Sequence, residues 1–281
     1  VSIRRLQAAS DFLRDSGRTE RIIVTPADDS LLPLDFLYEP EESATLIVIL
    51  HGALNRRRFE LPRFEWRTTL ERVRASKLYL CDTTVSQRSD MELGWYIGKE
   101  ADNLTKRYAD LVQQITVKCD YERVILVGSS GGGFGSLAMS RRIPQSCAVA
   151  FSPQTSIAAY HPNHRKVLSA VIFPQFTSFD QIEYEFAERI NLRTLYRRTK
   201  ELNFFRYVQN TGDRFHFEAH YAAFALSHGV DPETGGMTES GNGHFIAEKY
   251  EKGHAPPPRA RFRGHIREAH RAYFGEDLKI D

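Results

Sequence analysis

Val124-Ile125-Leu126-Val127-Gly128-Ser129-Ser130-Gly131-Gly132-Gly133 runs an apolar, β-branched segment straight into Gly-x-Ser-x-Gly, and residues 134–142 behind it suit a helix. That order describes a nucleophile elbow. A serine on a sharp strand-to-helix turn lifts its hydroxyl above the sheet, and small neighbours let the backbone close around the turn. Gly128 and Gly132 hold the two flanking positions, so Ser130 is the candidate nucleophile. Gly131, at the start of the helix, has a backbone N–H suited to an oxyanion. Glycine-rich turns of this kind also bind phosphates. No Lys-Ser or Lys-Thr pair closes the run, which excludes a P-loop. The glycines do not fit Gly-x-Gly-x-x-Gly, and about 20 residues on, Cys147-Ala148-Val149 offers no acidic ribose ligand. A tight structural turn and another form of phosphate cradle stay open on this motif alone.

Outward from the elbow, strands alternate with helices. Residues 21–25 and 32–38 read as a hairpin, and 45–50 as a strand apolar throughout, buried on both faces and ending at His51-Gly52. Residues 77–81 form a strand ending at Asp82. Residues 101–116 are an amphipathic helix with Leu104, Tyr108, Leu111, Val112 and Ile115 on one face. Strands follow at 147–151 and 204–209, a helix at 217–228, a tight turn before a helix at 241–245, and a basic final helix at 265–273 after Pro256-Pro257-Pro258. The pattern predicts an α/β fold with a mostly parallel central sheet flanked by helices. Residues 157–200 are too long for a simple crossover and read as a cap insertion. The organisation expected is one domain over 1–255, with the cap at about 157–200, and a basic, solvated helical tail over 256–281.

Composition bounds the function. The 281 residues are 41% hydrophobic and 26% charged, with a net charge of +2, as for one large domain. No basic stripe with interleaved aromatics stands out, so no nucleic-acid partner is expected. No apolar run approaches the roughly 18 residues of a membrane helix. Three scattered cysteines, Cys81, Cys119 and Cys147, suit a reducing compartment, and the expected location is cytoplasmic. The oligomeric state is not legible.

A lone serine hydroxyl is a poor nucleophile. It needs a base in hydrogen-bond reach, and the base needs an orienting carboxylate. Behind an elbow these follow in the order serine, acid, histidine, at the ends of later strands. Asp213, after Thr211-Gly212, and His244, in Gly241-Asn242-Gly243-His244-Phe245, meet that order. Asp213 also fits a turn or a helix cap, and His244 a surface turn. His216 and His220 are four residues apart, a possible metal spacing, but no acidic partner completes a zinc-protease arrangement. No metal and no organic cofactor are expected. His220 reads as a packed or hydrogen-bonded group, and His161 and His164 as loop residues.

With these residues the chain resembles the α/β-hydrolase superfamily, from the first hairpin to beyond His244. The resemblance rests on His51-Gly52, the Gly128-to-Gly132 elbow, Gly212-Asp213 and Gly243-His244. It implies the α/β-hydrolase fold, with Ser130 as nucleophile, His244 as general base then acid, and Asp213 fixing the imidazole tautomer. It also implies a second oxyanion donor, the N–H of Ala53, facing that of Gly131. Asp82 matches a position that is often acidic and structural, and His51 reads as a brace for the oxyanion loop. Leu93-Gly94-Trp95-Tyr96-Ile97-Gly98 and Phe151-Ser152-Pro153-Gln154 resemble bacterial hydrolase-like proteins tied to surface-polysaccharide synthesis.

The activity expected is that of a serine hydrolase on an ester or related acyl bond of a small molecule, glycan or lipid. The alternatives are an acyltransferase with the same triad and a sugar or lipid hydroxyl acceptor, and a non-catalytic binding protein on the same fold. For substrate contacts, Arg56 opens an arginine triplet after the oxyanion loop and would hold a phosphate or carboxylate, unless it is a solvated basic turn. Trp95 and Tyr96 would stack on a sugar or acyl chain. Tyr160, Phe173, Phe176, Phe179, Tyr184 and Phe186 either line an acyl pocket or, the favoured reading, pack the cap itself.

Overall fold

Two central strands, Thr45–Leu50 (β4) and Arg123–Ser129 (β6), pair in parallel and are buried along almost their whole length. The computed structural model describes residues 1–13, 17–199 and 203–280. Around β4 and β6 lie Ser2–Leu6 (β1), Glu20–Val24 (β2), Leu34–Glu39 (β3) and Ser76–Leu80 (β5) on one side. On the other lie Cys147–Phe151 (β7), Phe204–Asn210 (β8), Gly236–Met237 (β9) and Gly243–Glu248 (β10). The ten strands form one sheet in the order β1-β2-β3-β5-β4-β6-β7-β8-β10-β9. From β5 across to β10 every neighbour is parallel. The expected hairpin is present as the antiparallel pair β2 and β3.

Side chains alternate across a strand, so β4 serves two layers. Leu46, Val48 and Leu50 face the helix Leu104–Lys118, whose Leu104, Tyr108, Leu111, Val112 and Ile115 form the stripe its periodicity predicts. Ile47 and Ile49 share the opposite layer with Phe262, Ile266 and Ala269 of the helix Arg259–Phe274. This last helix corrects the reading of 256–281 as a solvated tail. Its outer face is basic, but its inner face closes the core. The end of that segment, residue 281, lies outside the described residues.

Residues 241–245 are also corrected: they lead into β10, not a helix. Phe245 is buried against Phe205, Tyr207 and Phe224, while its neighbours His244 and Ile246 are less buried. That is a period of two, and pairing with β8 satisfies the backbone.

Between β7 and β8 the described residues form four helices, Pro162–Ile172, Phe179–Glu185, Ala187–Ile190 and Leu192–Arg198. The cap boundary expected at residue 200 lies outside the described residues. Phe173, Phe176 and Phe186 contact one another, so these aromatics pack the insertion itself. Tyr184 is 87% exposed. The three cysteines are buried and free. Among the described residues, no helix is long and apolar enough to cross a membrane.

The elbow is set by backbone contact. Ser130 sits at φ 55° and ψ −123°, a strained conformation for a residue with a side chain. Its N–H donates to Phe151 O at 2.9 Å, and its carbonyl accepts from Phe134 N at 3.0 Å. A Cβ on Gly132 would collide with the carbonyl oxygen of Leu50 and come within 2.8 Å of that of His51. A Cβ on Gly128 would collide with the backbone of Gly132. Gly132→Ala is therefore expected to cost about 3 kcal/mol or more, because the obstructing atoms are backbone. Urea unfolding should show the lowered midpoint.

Candidate active site

The C-terminal ends of β4, β6, β7, β8 and β10 all open toward one edge of the sheet, and loops leaving them carry the polar side chains. His51-Gly52-Ala53 follows β4, Ser130 follows β6, Gln154 follows β7, Asp213 follows β8 and His254 follows β10. The buried Asn210, at the end of β8, stitches the last two loops together. Its Nδ2 donates to the carbonyls of Glu251 and Gly253, both at 3.0 Å, and its Oδ1 accepts from Gly212 N at 3.1 Å. Gly253 N then donates to Gly212 O at 2.9 Å. The Asp213 and His254 turns are thus locked to one another.

Asp213 caps the helical turn that follows it, with Oδ1 accepting from His216 N at 3.2 Å. Its Oδ2 accepts from His254 Nδ1 at 2.6 Å. His216 Nδ1 lies 2.8 Å from the same oxygen, off the line of a well-directed hydrogen bond. The two imidazoles stack, with centroids 3.9 Å apart and planes 8° from parallel. Burial would raise the Asp213 carboxyl, but the contacts from His216 and His254 outweigh it and hold the group well below the usual carboxylate range. Burial lowers the His216 imidazole, with Asp213 partly opposing. His254 is one-third exposed, at 33%, whereas the His216 side chain is 2% exposed.

Ser130 and His254 line one cavity of about 420 Å³ together with Gly52, Ala53, Tyr160 and Arg259. Arg63 and Glu65 complete a polar wall. A larger cavity, about 810 Å³, lies beside Phe205 and Asn242 at the starts of β8 and β10, at the opposite edge of the sheet from these groups. Gly131 opens the helix Gly131–Ser140, so its N–H has no acceptor within that helix. The His51 ring braces the neighbouring loop as expected, with Nδ1 2.8 Å from Gly52 O and Nε2 accepting from Asp82 N at 2.9 Å. Asp82 is buried and structural, accepting from Thr84 N and Tyr96 N at 3.1 and 3.0 Å.

His244 is not brought to Ser130. It is paired with Arg206 in the register of β10 against β8, and its Nδ1 lies 3.4 Å from that guanidinium. β10 is three strands removed from β6, about 14 Å at ordinary strand spacing. In register, Ser129 is level with Phe151, Val208 and Ile246, so His244 also falls two residues short of the edge. The imidazole that Asp213 holds is His254, ten residues on. The legible signal was a second Gly-His pair, Gly253-His254, placed beyond the strand and before the proline break.

The substrate contacts also change. Trp95 and Tyr96 are fully buried and have no face for a ligand. Tyr96 accepts from His51 N at 2.8 Å and donates to Leu80 O at 3.2 Å, which supports the loop from beneath. Arg56 does not line the Ser130 cavity. Arg63 and Arg259 do.

Trp95 has a different task. Its Nε1–H donates to Gln154 Oε1 at 3.0 Å. An indole N–H can only donate, so it fixes the amide oxygen on its side and turns the NH₂ the other way. That nitrogen lies 3.0 Å from Ser130 Oγ and 2.8 Å from His216 Nε2. His216 Nε2 must therefore accept, and the ring proton sits on Nδ1. The oxygen and ring nitrogens of Asp213, His216 and His254 lie within 4.8 Å of one another, close enough for a metal. A metal at His216 Nδ1 would need that nitrogen deprotonated, which Gln154 opposes.

No family model matches the chain, and no curated protein matches it. Among solved structures, it is similar to the capsule O-acetyltransferase of Neisseria meningitidis serogroup A, with a TM-score of 0.63 and 18% identity over 84% of this chain and 93% of that one. It is similar to an S-formylglutathione hydrolase from Agrobacterium tumefaciens, with a TM-score of 0.56 and 11% identity over 94% and 99%. It is also similar to a Pyrococcus furiosus esterase, with a TM-score of 0.53 and 14% identity over 92% of each chain. At these identities the likeness is one of fold: the chain has the α/β-hydrolase fold.

His220 generates a prediction about acid stability. It is buried below the site, accepts from Thr155 N at 3.3 Å, and burial pushes it down to about 3. As pH falls below the ordinary histidine value near 6.5, the unfolded chain takes up a proton that the folded chain refuses. Stability then declines, at about 1.4 kcal/mol per pH unit for a histidine held neutral, until the folded value is reached. Melting temperatures measured from pH 7 to pH 4 should fall steeply, and His220→Gln, which keeps an acceptor and does not titrate, should flatten the fall. An unchanged slope in that variant would remove His220 as a cause.

Proposed function

We propose that the protein is a serine acyl-transfer enzyme that hydrolyses a carboxylic ester through an acyl-enzyme on Ser130, with His254 as base and Asp213 as its orienting carboxylate. One observation carries this reading. The Asp213 carboxylate grips His254 Nδ1 at 2.6 Å, and that ring shares a cavity with a serine on a strained elbow. The hydrogen bond at Nδ1 leaves the lone pair on Nε2, the atom a general base needs.

In the first half-reaction, Ser130 Oγ forms a bond to the ester carbonyl carbon while its proton passes to His254 Nε2. The carbonyl electron pair moves onto oxygen. The N–H groups of Gly131 and Ala53 act as its donors in this reading, and one such donor is typically worth about 3 kcal/mol. The oxyanion collapses, the bond to the leaving oxygen breaks, and His254 returns the proton to that oxygen. Water then repeats the sequence on the acyl group, and Ser130 Oγ leaves with its proton restored. Asp213 stays ionised throughout, consistent with its low pKa.

A second reading is acyl transfer to a sugar hydroxyl, with that hydroxyl in place of water. The likeness to a capsule O-acetyltransferase favours it, as do Arg63 and Arg259 on the cavity wall, where an anionic donor or acceptor would be held.

A fluorophosphonate probe should label Ser130 in the intact chain, and Ser130→Ala should lose both label and turnover. His254→Ala should lower kcat at least a thousandfold on p-nitrophenyl acetate, whereas His244→Ala should stay within about twofold of the parent. A folded parent protein that takes no label, or a dispensable His254, overturns the proposal. Product analysis with and without added sugar separates the two readings: ester loss without sugar supports hydrolysis, and ester loss only with sugar supports transfer.

A further inference from the structure

We propose that Gln154 is a further catalytic residue, a fixed hydrogen-bond donor to Ser130 Oγ that acts chiefly when Oγ is the leaving atom, during release of the acyl group. The inference rests on the serine reading above and adds a role to a residue outside the triad.

The amide is held on every side. Gln154 is fully buried. Trp95 Nε1–H holds its oxygen, one N–H meets His216 Nε2, and the other meets Ser130 Oγ. The two residues before it are anchored too: Ser152 N donates to Val208 O at 2.8 Å, and Tyr207 Oη donates to the carbonyl of Pro153 at 3.0 Å. No hydrogen of the amide is spare, and no rotation keeps all three contacts. The donor is therefore preorganised at a reacting atom, and nothing has to reorient during the step.

The timing follows from the chemistry of the oxygen. In the free enzyme Oγ is a hydroxyl oxygen that already accepts from Gln154. In the acyl-enzyme it is an ester oxygen, whose lone pair is delocalised into the carbonyl, and a poor acceptor. During release, water attacks the acyl carbon and its proton passes to His254 Nε2. The C–Oγ bond then breaks, its electron pair goes to Oγ, and Oγ takes the proton from His254. Oγ passes from poor to strong acceptor as that bond breaks, so the amide contact strengthens most in this half-reaction. In acylation Oγ starts as a good acceptor and gains less.

The test is Gln154→Met, which keeps the length and removes the donor, assayed with p-nitrophenyl acetate. Deacylation should slow about tenfold to a hundredfold, the range for a hydrogen bond to a charge-bearing atom. Because acyl-enzyme then accumulates, kcat and KM should fall together, kcat/KM should change by less than about threefold, and a p-nitrophenol burst of about one equivalent should appear. Trp95→Phe, which keeps a ring and frees the amide to turn, should show the same pattern more weakly, and serves if Gln154→Met fails to fold. A folded Gln154→Met protein without a burst, or with kcat/KM falling as far as kcat, overturns the proposal. Fluorophosphonate labelling of the parent separates the two readings: no label defeats both, whereas label without the kinetic split defeats only the role of Gln154.

Discussion

The contact on which the site depends is made by backbone alone, where Gly132 presses against the carbonyls of Leu50 and His51. It brings the end of β6 onto the end of β4 with no side chain between them. Two consequences follow at once. Ser130 is forced into a positive φ, and the loop after β4, with Gly52 and Ala53, comes to line the same cavity as the serine. The buried strands β4 and β6 supply the stability that holds this strained turn. Packing and chemistry are thus coupled through a place where no Cβ can stand.

The second constraint is the pairing of turns after β8 and β10. A carboxylate and an imidazole on separate flexible loops would spend little time in register. Asn210 removes that freedom by binding backbone groups on both loops with one buried amide. A buried amide must find partners for its donors and its acceptor, and here each partner is a main-chain group that has to be placed. The 2.6 Å contact between Asp213 and His254 is the outcome of this arrangement.

Much of this was legible before any coordinates. The elbow is local: strand, glycine, serine and helix adjoin in sequence, and the same sterics operate in any fold. Asp213 was legible because it follows a strong strand within three residues. The helix Leu104–Lys118 was readable from its stripe, and the parallel sheet from its alternation of elements. His254 was not singled out because the chain holds three Gly-His pairs, at Gly243-His244, Gly253-His254 and Gly264-His265, and choosing between the first two requires knowing that residues 243–248 form a strand. That strand is short and aromatic at one alternate position, and glycines at its start imitate a turn. Trp95 and Tyr96 looked like ligand platforms because large aromatics serve equally as core. Their burial depends on the helix Gly131–Ser140, where Gly135 lies against Tyr96. Gln154 drew notice only as part of a motif, since its meaning depends on Trp95 and His216, which come from elsewhere in the chain.

Two histidines on one carboxylate pose a problem of roles, and burial resolves it. His216 is 2% exposed, with Nε2 committed to Gln154 and its pKa lowered by burial. Protonating it would place a charge in the interior beside a hydrogen-bond donor that cannot turn away, because Trp95 holds the other end of the amide. His254 is one-third exposed, at 33%, so in the proposed reaction water would help to stabilise a transient imidazolium, and Asp213 lies directly on its Nδ1. Stacking of the two rings at 3.9 Å sets the buried plane against the exposed one. In the proposed reaction the inner histidine would therefore steady the outer ring without competing for its proton, and the direction of proton movement would be set by which of the two can be wetted.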